Sequence, residues 1–307
     1  MRILVILATA ICVQLSSCCD SDTSPTAEYW EPFEGHGTEP GQFDSPMGVQ
    51  FRASLGSLRS VLLVADYGND RVQMFPIDDI HVYCFGEAGD GPGQFRGPVS
   101  ITSAQSDSGD SFLFVTDSRN HRVQKFDVDG NFILAWGESG SDTGQFNTPT
   151  GIDADRDGNI YVVDSGNHRI QVFDENGNFQ RLWGGQGTRP GEFESPIDIA
   201  EYDGASGLAR LVVSDYGNNR IQVFDQEGDF IASHDAIPCP LGLGTSAKGN
   251  IWIVSETDRR LFIVNFWRSS REVYSLRGSL KPYDITEPWV SDMGKHAILW
   301  YSRRDCY

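Results

Sequence analysis

The apolar positions of this chain fall in short runs separated by turns, and one such unit recurs. Residues 160–173 read I-Y-V-V-D-S-G-N-H-R-I-Q-V-F. Residues 160–163 are β-branched or aromatic, 164–168 hold the Gly and Asn of a tight turn, and 169–173 resume the strand pattern. Close copies occupy residues 66–75, 117–126 and 215–224, and a worn copy runs from 255 to 264. A single hairpin cannot bury its own apolar face, so the copies are expected to stack.

A second marker opens each unit, a proline followed by a small or acidic residue and then an aliphatic one. It stands at Pro46, Pro98, Pro149, Pro196, Pro240 and Pro282, with gaps of 52, 51, 47, 44 and 42 residues. That period suits a four-stranded blade. In the cleanest unit, residues 151–155 are expected as the inner strand, 160–164 as the second, 169–174 as the third and 179–183 as the outer strand. Asp-Gly-Asn and Asn-Gly-Asn form the intervening turns, because Asn and Gly tolerate positive φ.

Gly-rich linkers ending in Phe join one outer strand to the next inner strand, at residues 86–95, 137–146 and 184–193. The same linker at 35–43 follows an apolar stretch at 29–33 but no earlier blade. The N-terminal strand is therefore expected to complete the last blade, closing the ring and removing the sheet-edge hazard. The pattern thus predicts an all-β, six-bladed β-propeller of four-stranded antiparallel blades over residues 28–307. In the last unit residues 298–301 read as the second strand, with Ser302 at the Asp position, so that either this blade has three strands or the chain is clipped.

Residues 1–14 form an Arg2-headed apolar run too short to span a bilayer as a mature helix, and read as an export signal. The run ends Leu15-Ser16-Ser17-Cys18, which resembles the bacterial lipobox, in which the Cys becomes the lipidated first residue. The expected organisation is a signal at 1–17, a polar tether at 18–27 and a lipid-anchored propeller of the bacterial cell envelope, with a periplasmic or secreted protein as the alternative. The chain has 307 residues, 43 acidic and 24 basic, for a formal charge of -19. That balance argues against nucleic acid as a partner and against docking on anionic lipid through a basic patch. Of six cysteines, Cys19, Cys84, Cys239 and Cys306 have no zinc-finger spacing, and their pairing is open.

The combination P-x-G-I, D-x-x-G-N-I-Y-V-x-D-S-G-N-H-R-I-Q-V-F-D and W-G-x-x-G-x-x-x-G-x-F resembles the NHL repeat family of six-bladed β-propellers. The likeness is good over residues 28–264 and poor over 265–307. It implies the fold firmly and the function weakly, since the family includes RNA- and partner-binding modules, sensor domains of bacterial receptor kinases and peptidyl-hydroxyglycine amidating lyases. In the lyase resemblance, metal-binding histidines follow the Pro that opens inner strands. Here those positions hold Met47, Val99, Thr150, Ile197, Leu241 and Tyr283. Asp198 and Asp284, one place later, are the weak candidates for a cation such as Ca²⁺ or Zn²⁺ in the channel.

Asp66, Asp117, Asp164 and Asp215, with Arg71, Arg122, Arg169, Arg220 and Arg260, recur once per blade and read as structural pairs. The turn residues that differ from blade to blade are the candidate ligand-binding set on a loop face: Tyr67, Asp70, Arg119, His121, His168, Tyr216, Asn219 and Arg259. No nucleophile elbow, P-loop or H-E-x-x-H motif occurs, so no catalytic residue is assigned and no cofactor is expected. The sequence favours a membrane-tethered scaffold that binds an envelope protein, peptide or glycan. A metal-dependent lyase or hydrolase working in the channel is the alternative.

Overall fold

The computed structural model describes residues 28–302 apart from 53–54, 56–59, 77–80, 107–108, 204–208, 246–250, 257–259, 266–269, 276–281, 287–288 and 293–296, and it describes side chains only between residues 35 and 264. Cys18, Cys19, Arg259 and Cys306 lie outside the described residues, as do the proposed signal and tether.

Strand β1 spans Glu28–Glu34. The first sheet is β2 (Pro46–Arg52), β3 (Val61–Asp66), β4 (Arg71–Pro76) and β5 (Tyr83–Phe85). The next is β6 (Pro98–Gln105), β7 (Ser111–Asp117), β8 (Arg122–Asp127) and β9 (Phe132–Trp136). Then come β10 (Pro149–Ala154), β11 (Ile160–Asp164), β12 (Arg169–Phe173) and β13 (Phe179–Gly184), followed by β14 (Pro196–Asp203), β15 (Ala209–Asp215), β16 (Arg220–Phe224) and β17 (Phe230–Asp235). The chain continues with β18 (Pro240–Thr245), β19 (Ile251–Ser255), β20 (Arg260–Asn265) and β21 (Ser270–Ser275), then β22 (Pro282–Thr286), β23 (Trp289–Asp292) and β24 (Ala297–Ser302). Each sheet is a four-stranded antiparallel meander, the arrangement of a propeller blade.

The N-terminal strand joins the last sheet as expected, β1 lying antiparallel to β24 with Tyr29 opposite Tyr301. The expectation of a three-stranded last blade is corrected. That sheet runs β22-β23-β24-β1, with Trp289–Asp292 as its second strand and Ala297–Ser302 as its third. The four-residue β23 pairs with β22 from Thr286 opposite Trp289 to Pro282 opposite Asp292. The sequence after it, Asp292-Met-Gly-Lys-His-Ala297, keeps the Asp and Gly of the repeated turn but has Lys295 for the Asn and Ala297 for the Arg, which is why the pattern assigned its place to the strand after it.

Packing runs between blades as well as within them. The linker phenylalanines Phe43, Phe95, Phe146 and Phe193 are fully buried, each beside a phenylalanine of the third strand that follows it. Each such ring contributes about 1.5–3 kcal/mol by leaving water. Only glycine fits over them at residues 86, 137 and 184: φ is near +100° at Gly137 and Gly184, and an added Cβ would lie 2.4–2.7 Å from the ring. Phe85, Trp136 and Trp183 lie beneath Gly130, Gly177 and Gly228 of the following blades.

Candidate functional site

Two surfaces are open to function, the face carrying the second-to-third-strand turns and the channel lined by the inner strands. On the turn face each of the first four hairpins closes through one 3-10 turn that ends in a left-handed residue, with φ of 52° at Asp70, 54° at His121, 55° at His168 and 54° at Asn219. Asp, Asn and His are the side chains that tolerate this region best after glycine.

The same four side chains share one job. Asp70 Oδ1 accepts from Gly97 N–H at 2.7 Å, His121 Nδ1 from Thr148 N–H at 3.2 Å, His168 Nδ1 from Ser195 N–H at 3.0 Å and Asn219 Oδ1 from Cys239 N–H at 2.9 Å. Each donor immediately precedes the proline that opens the next inner strand. The residues whose variation pointed to ligand binding are therefore latches between successive blades. Other candidates on this face also reach across a join. The Arg119 guanidinium lies 4.8 Å from the centre of the Tyr67 ring, and Tyr216 Oη donates to Glu256 Oε2 at 2.6 Å. Acceptance by Glu256, aided by burial, holds the Tyr216 phenol well above its ordinary range.

Beneath the turns lies the Asp–Arg set. In the third blade Arg169 Nε donates to Asp164 Oδ2 at 2.7 Å, and its two terminal nitrogens donate to the carbonyls of Ser141, Asp142 and Gln145 in the Gly-rich linker. Asn167 and Gln171 donate to the same carboxyl oxygen, and Asn147 N–H donates to Asp164 Oδ1 at 2.7 Å. The pattern repeats around Asp66, Asp117 and Asp215, all fully buried. Burial raises the Asp66 and Asp117 carboxyls even though Asn, backbone and Arg donors pull them down. The recurrent pairs thus staple each linker to the hairpin it precedes.

The channel holds a cavity of about 220 Å³ bounded by inner strands β2, β6, β10, β14 and β18. Around it the inner strands are joined by hydrogen bonds. Gln50 Nε2 donates to Thr102 Oγ1 at 3.1 Å, Thr102 Oγ1 to Asp153 Oδ1 at 3.0 Å, Glu201 N–H to Asp153 Oδ2 at 2.7 Å, and Thr245 Oγ1 to the Glu201 carbonyl at 2.9 Å. Asp153 retains some accessible surface, but that surface faces the cavity. Its enclosure raises the carboxyl well above the usual range, against the pull of Arg52 and the hydrogen bonds from Glu201, Ala154 and Thr102. Asp153, Arg52 and Glu201 leave no repeat signal in the sequence, because each occurs in one blade only.

Asp198, expected in the channel, lines the cavity, and its carboxylate accepts from Leu243 N–H at 2.8 Å and Ile199 N–H at 2.9 Å. Asp284 lies on β22, and its side chain is outside the described residues. Among the described residues no three His, Cys, Asp or Glu side chains converge as metal ligands would. Cys84 and Cys239 are free thiols there, and no described helix is long and apolar enough to cross a membrane.

Residues 146–173, the linker Phe and the cleanest hairpin, match the NHL repeat model. No curated protein matches the chain significantly in sequence. Among solved structures the chain is similar to virginiamycin B lyase from Staphylococcus aureus, in a catalytically inactive form with quinupristin, at 14% identity and a TM-score of 0.62, covering 89% of this chain and 84% of that one. A gluconolactonase from Xanthomonas campestris aligns at 14% identity and a TM-score of 0.62, over 90% of each chain. A chain of a nidogen/laminin complex aligns at 17% identity and a TM-score of 0.61, over 78% of this chain and 84% of that one. At these identities the likeness shows the β-propeller fold and nothing of the activity.

Proposed function

We propose that this NHL-repeat propeller is a binding scaffold, which holds a protein, peptide or glycan on the face formed by its second-to-third-strand turns. One observation carries the reading: the turns are fixed to one another across successive joins, through Asp70, His121, His168 and Asn219 and the Tyr67–Arg119 and Tyr216–Glu256 contacts. A face locked in this way presents Arg96, Arg119 and Asn147, all exposed, at fixed spacing, so little ordering entropy is lost when a partner binds.

The ring is read as six-bladed. In support, the inner strands neighbour one another in the order β2, β6, β10, β14, β18 and β22, and β22 in turn lies beside β2. The apolar leader and Leu15-Ser16-Ser17-Cys18 support export and a lipid anchor at Cys18, which would hold the scaffold at an envelope membrane. The charge-reversed variant R96E/R119E tests the reading. It should remain folded, with a small drop in melting temperature from the lost Tyr67 contact, yet lose the partner that co-purifies with the full chain from detergent-solubilised envelopes. Retention of that partner would count against the turn face.

The second reading is a channel enzyme, a lyase or hydrolase. Asp153 favours it, being a raised carboxyl that borders the cavity near Arg52. Two of the fold neighbours are a lyase and a gluconolactonase. The hydrogen bonds that occupy both oxygens of Asp153 are the reason the scaffold is preferred.

A further inference from the structure

We propose that His121 and His168 make two of the joins between successive blades sensitive to acid. Both imidazoles serve as acceptors: the Nδ1 lone pair of His121 receives Thr148 N–H at 3.2 Å, and that of His168 receives Ser195 N–H at 3.0 Å. An imidazole protonated on both nitrogens has no lone pair left, so its Nδ1–H faces the backbone N–H donor to donor and the bond is lost. Histidine is the side chain that makes this change between about pH 5 and pH 8.

The molecule contains its own control. The equivalent join at Asn219 uses an amide oxygen toward Cys239 N–H at 2.9 Å, and an amide gains no proton at ordinary pH. The join at Asp70 uses a carboxylate toward Gly97 N–H at 2.7 Å, and a carboxylate remains an acceptor through the imidazole range. Acid therefore acts on the joins that flank the blade β10–β13 and spares those at Gly97 and Cys239.

The charged groups around the two rings differ. Glu194 Oε1 lies 3.9 Å from His168 Nδ1, and the corresponding neighbour of His121 is Asn147, an uncharged amide. On the rings' own turns, Arg122 and Arg169 are engaged by Asp117 and Asp164, and Arg119 lies over Tyr67. A protonated His168 gains attraction to Glu194 as it gives up Ser195, whereas a protonated His121 gains no such partner from Asn147. The His121 join thus loses more of its stabilisation on acidification.

Amide hydrogen exchange on the full chain, read residue by residue and corrected for intrinsic rates, tests this. Between pH 8 and pH 5 the protection of Thr148 N–H and of Ser195 N–H should each fall at least tenfold, while Gly97 and Cys239 hold steady. In H121N/H168N, which copies the Asn219 join, the fall should vanish and the unfolding midpoint at pH 5 should exceed that of wild type. If the four amides of the wild type change in parallel, or Thr148 does not change, the proposal is overturned. The wild-type measurement decides the matter even if the double variant fails to fold.

Discussion

Asp153 Oδ2 accepts the backbone N–H of Glu201 at 2.7 Å, joining the inner strands β10 and β14, and its other oxygen takes the Thr102 hydroxyl from β6 at 3.0 Å. One carboxylate therefore fastens three inner strands around the cavity. Enclosure raises its pKa in the folded state, so between the ordinary carboxylate value and the raised one the folded chain holds a proton that the unfolded chain has released. Stability then falls as pH rises through that window and is regained as pH falls. The difference in unfolding free energy between wild type and D153N should shift in favour of wild type as pH is lowered toward about 4, and denaturant titrations at a series of pH values read it directly. A difference that does not vary with pH would contradict the raised carboxyl.

The clamp at Asp164 should be far less tolerant. Removing the carboxylate leaves Arg169, Asn167, Gln171 and Asn147 N–H without their common acceptor. Loss of one partner of a buried charged pair typically costs about 3–5 kcal/mol. D164A should unfold at correspondingly lower denaturant, and R169K should cost less, because an ammonium keeps the charge and loses the fork that reaches the Ser141, Asp142 and Gln145 carbonyls.

At the turn face the identity of the substituent decides the outcome. H168N should leave the unfolding midpoint at neutral pH nearly unchanged, since Asn219 performs the same task in the next blade. H168A should lower stability by about 1–2 kcal/mol, for the lost hydrogen bond to Ser195. Equal losses from both variants would show that the bond contributes nothing.

Glycines separate backbone cost from steric cost. Gly158 has φ +81° with open space where a Cβ would stand, and G158A should cost about 1–2 kcal/mol from the left-handed backbone alone. Gly177 has φ +77°, and an added Cβ would lie 2.8 Å from the Trp136 ring. G177A should cost about 1–3 kcal/mol more than G158A through overpacking, visible as a further drop in melting temperature.

Where a residue recurs with the blade, the sequence reveals its place. The Asp164–Arg169 hairpin was legible to within a residue at its strand ends, because each copy repeats the same turn and the same staple. The second strand of the last sheet was not, since Trp289–Asp292 is four residues long and is followed by Lys295 and Ala297 where the other copies have Asn and Arg. The latch residues were visible as the turn positions that vary, but their shared latch role was not. Asp70, His121, His168 and Asn219 differ in name, and what they share, an acceptor on a left-handed backbone, appears only once the partner N–H is in place. Gln50, Thr102, Asp153 and Thr245 are still harder to find, because five strands contribute different chemistry to one chain of hydrogen bonds.

The central claim is that a partner sits on the turn face. A photo-crosslinking side chain placed in turn at Arg119 on that face, at Ile133 on an outer strand and at Arg156 on the opposite face, all exposed, tests it within intact cells. The account predicts a discrete adduct from position 119 and none from 133 or 156. An adduct from 133 or 156 without one from 119 would contradict it.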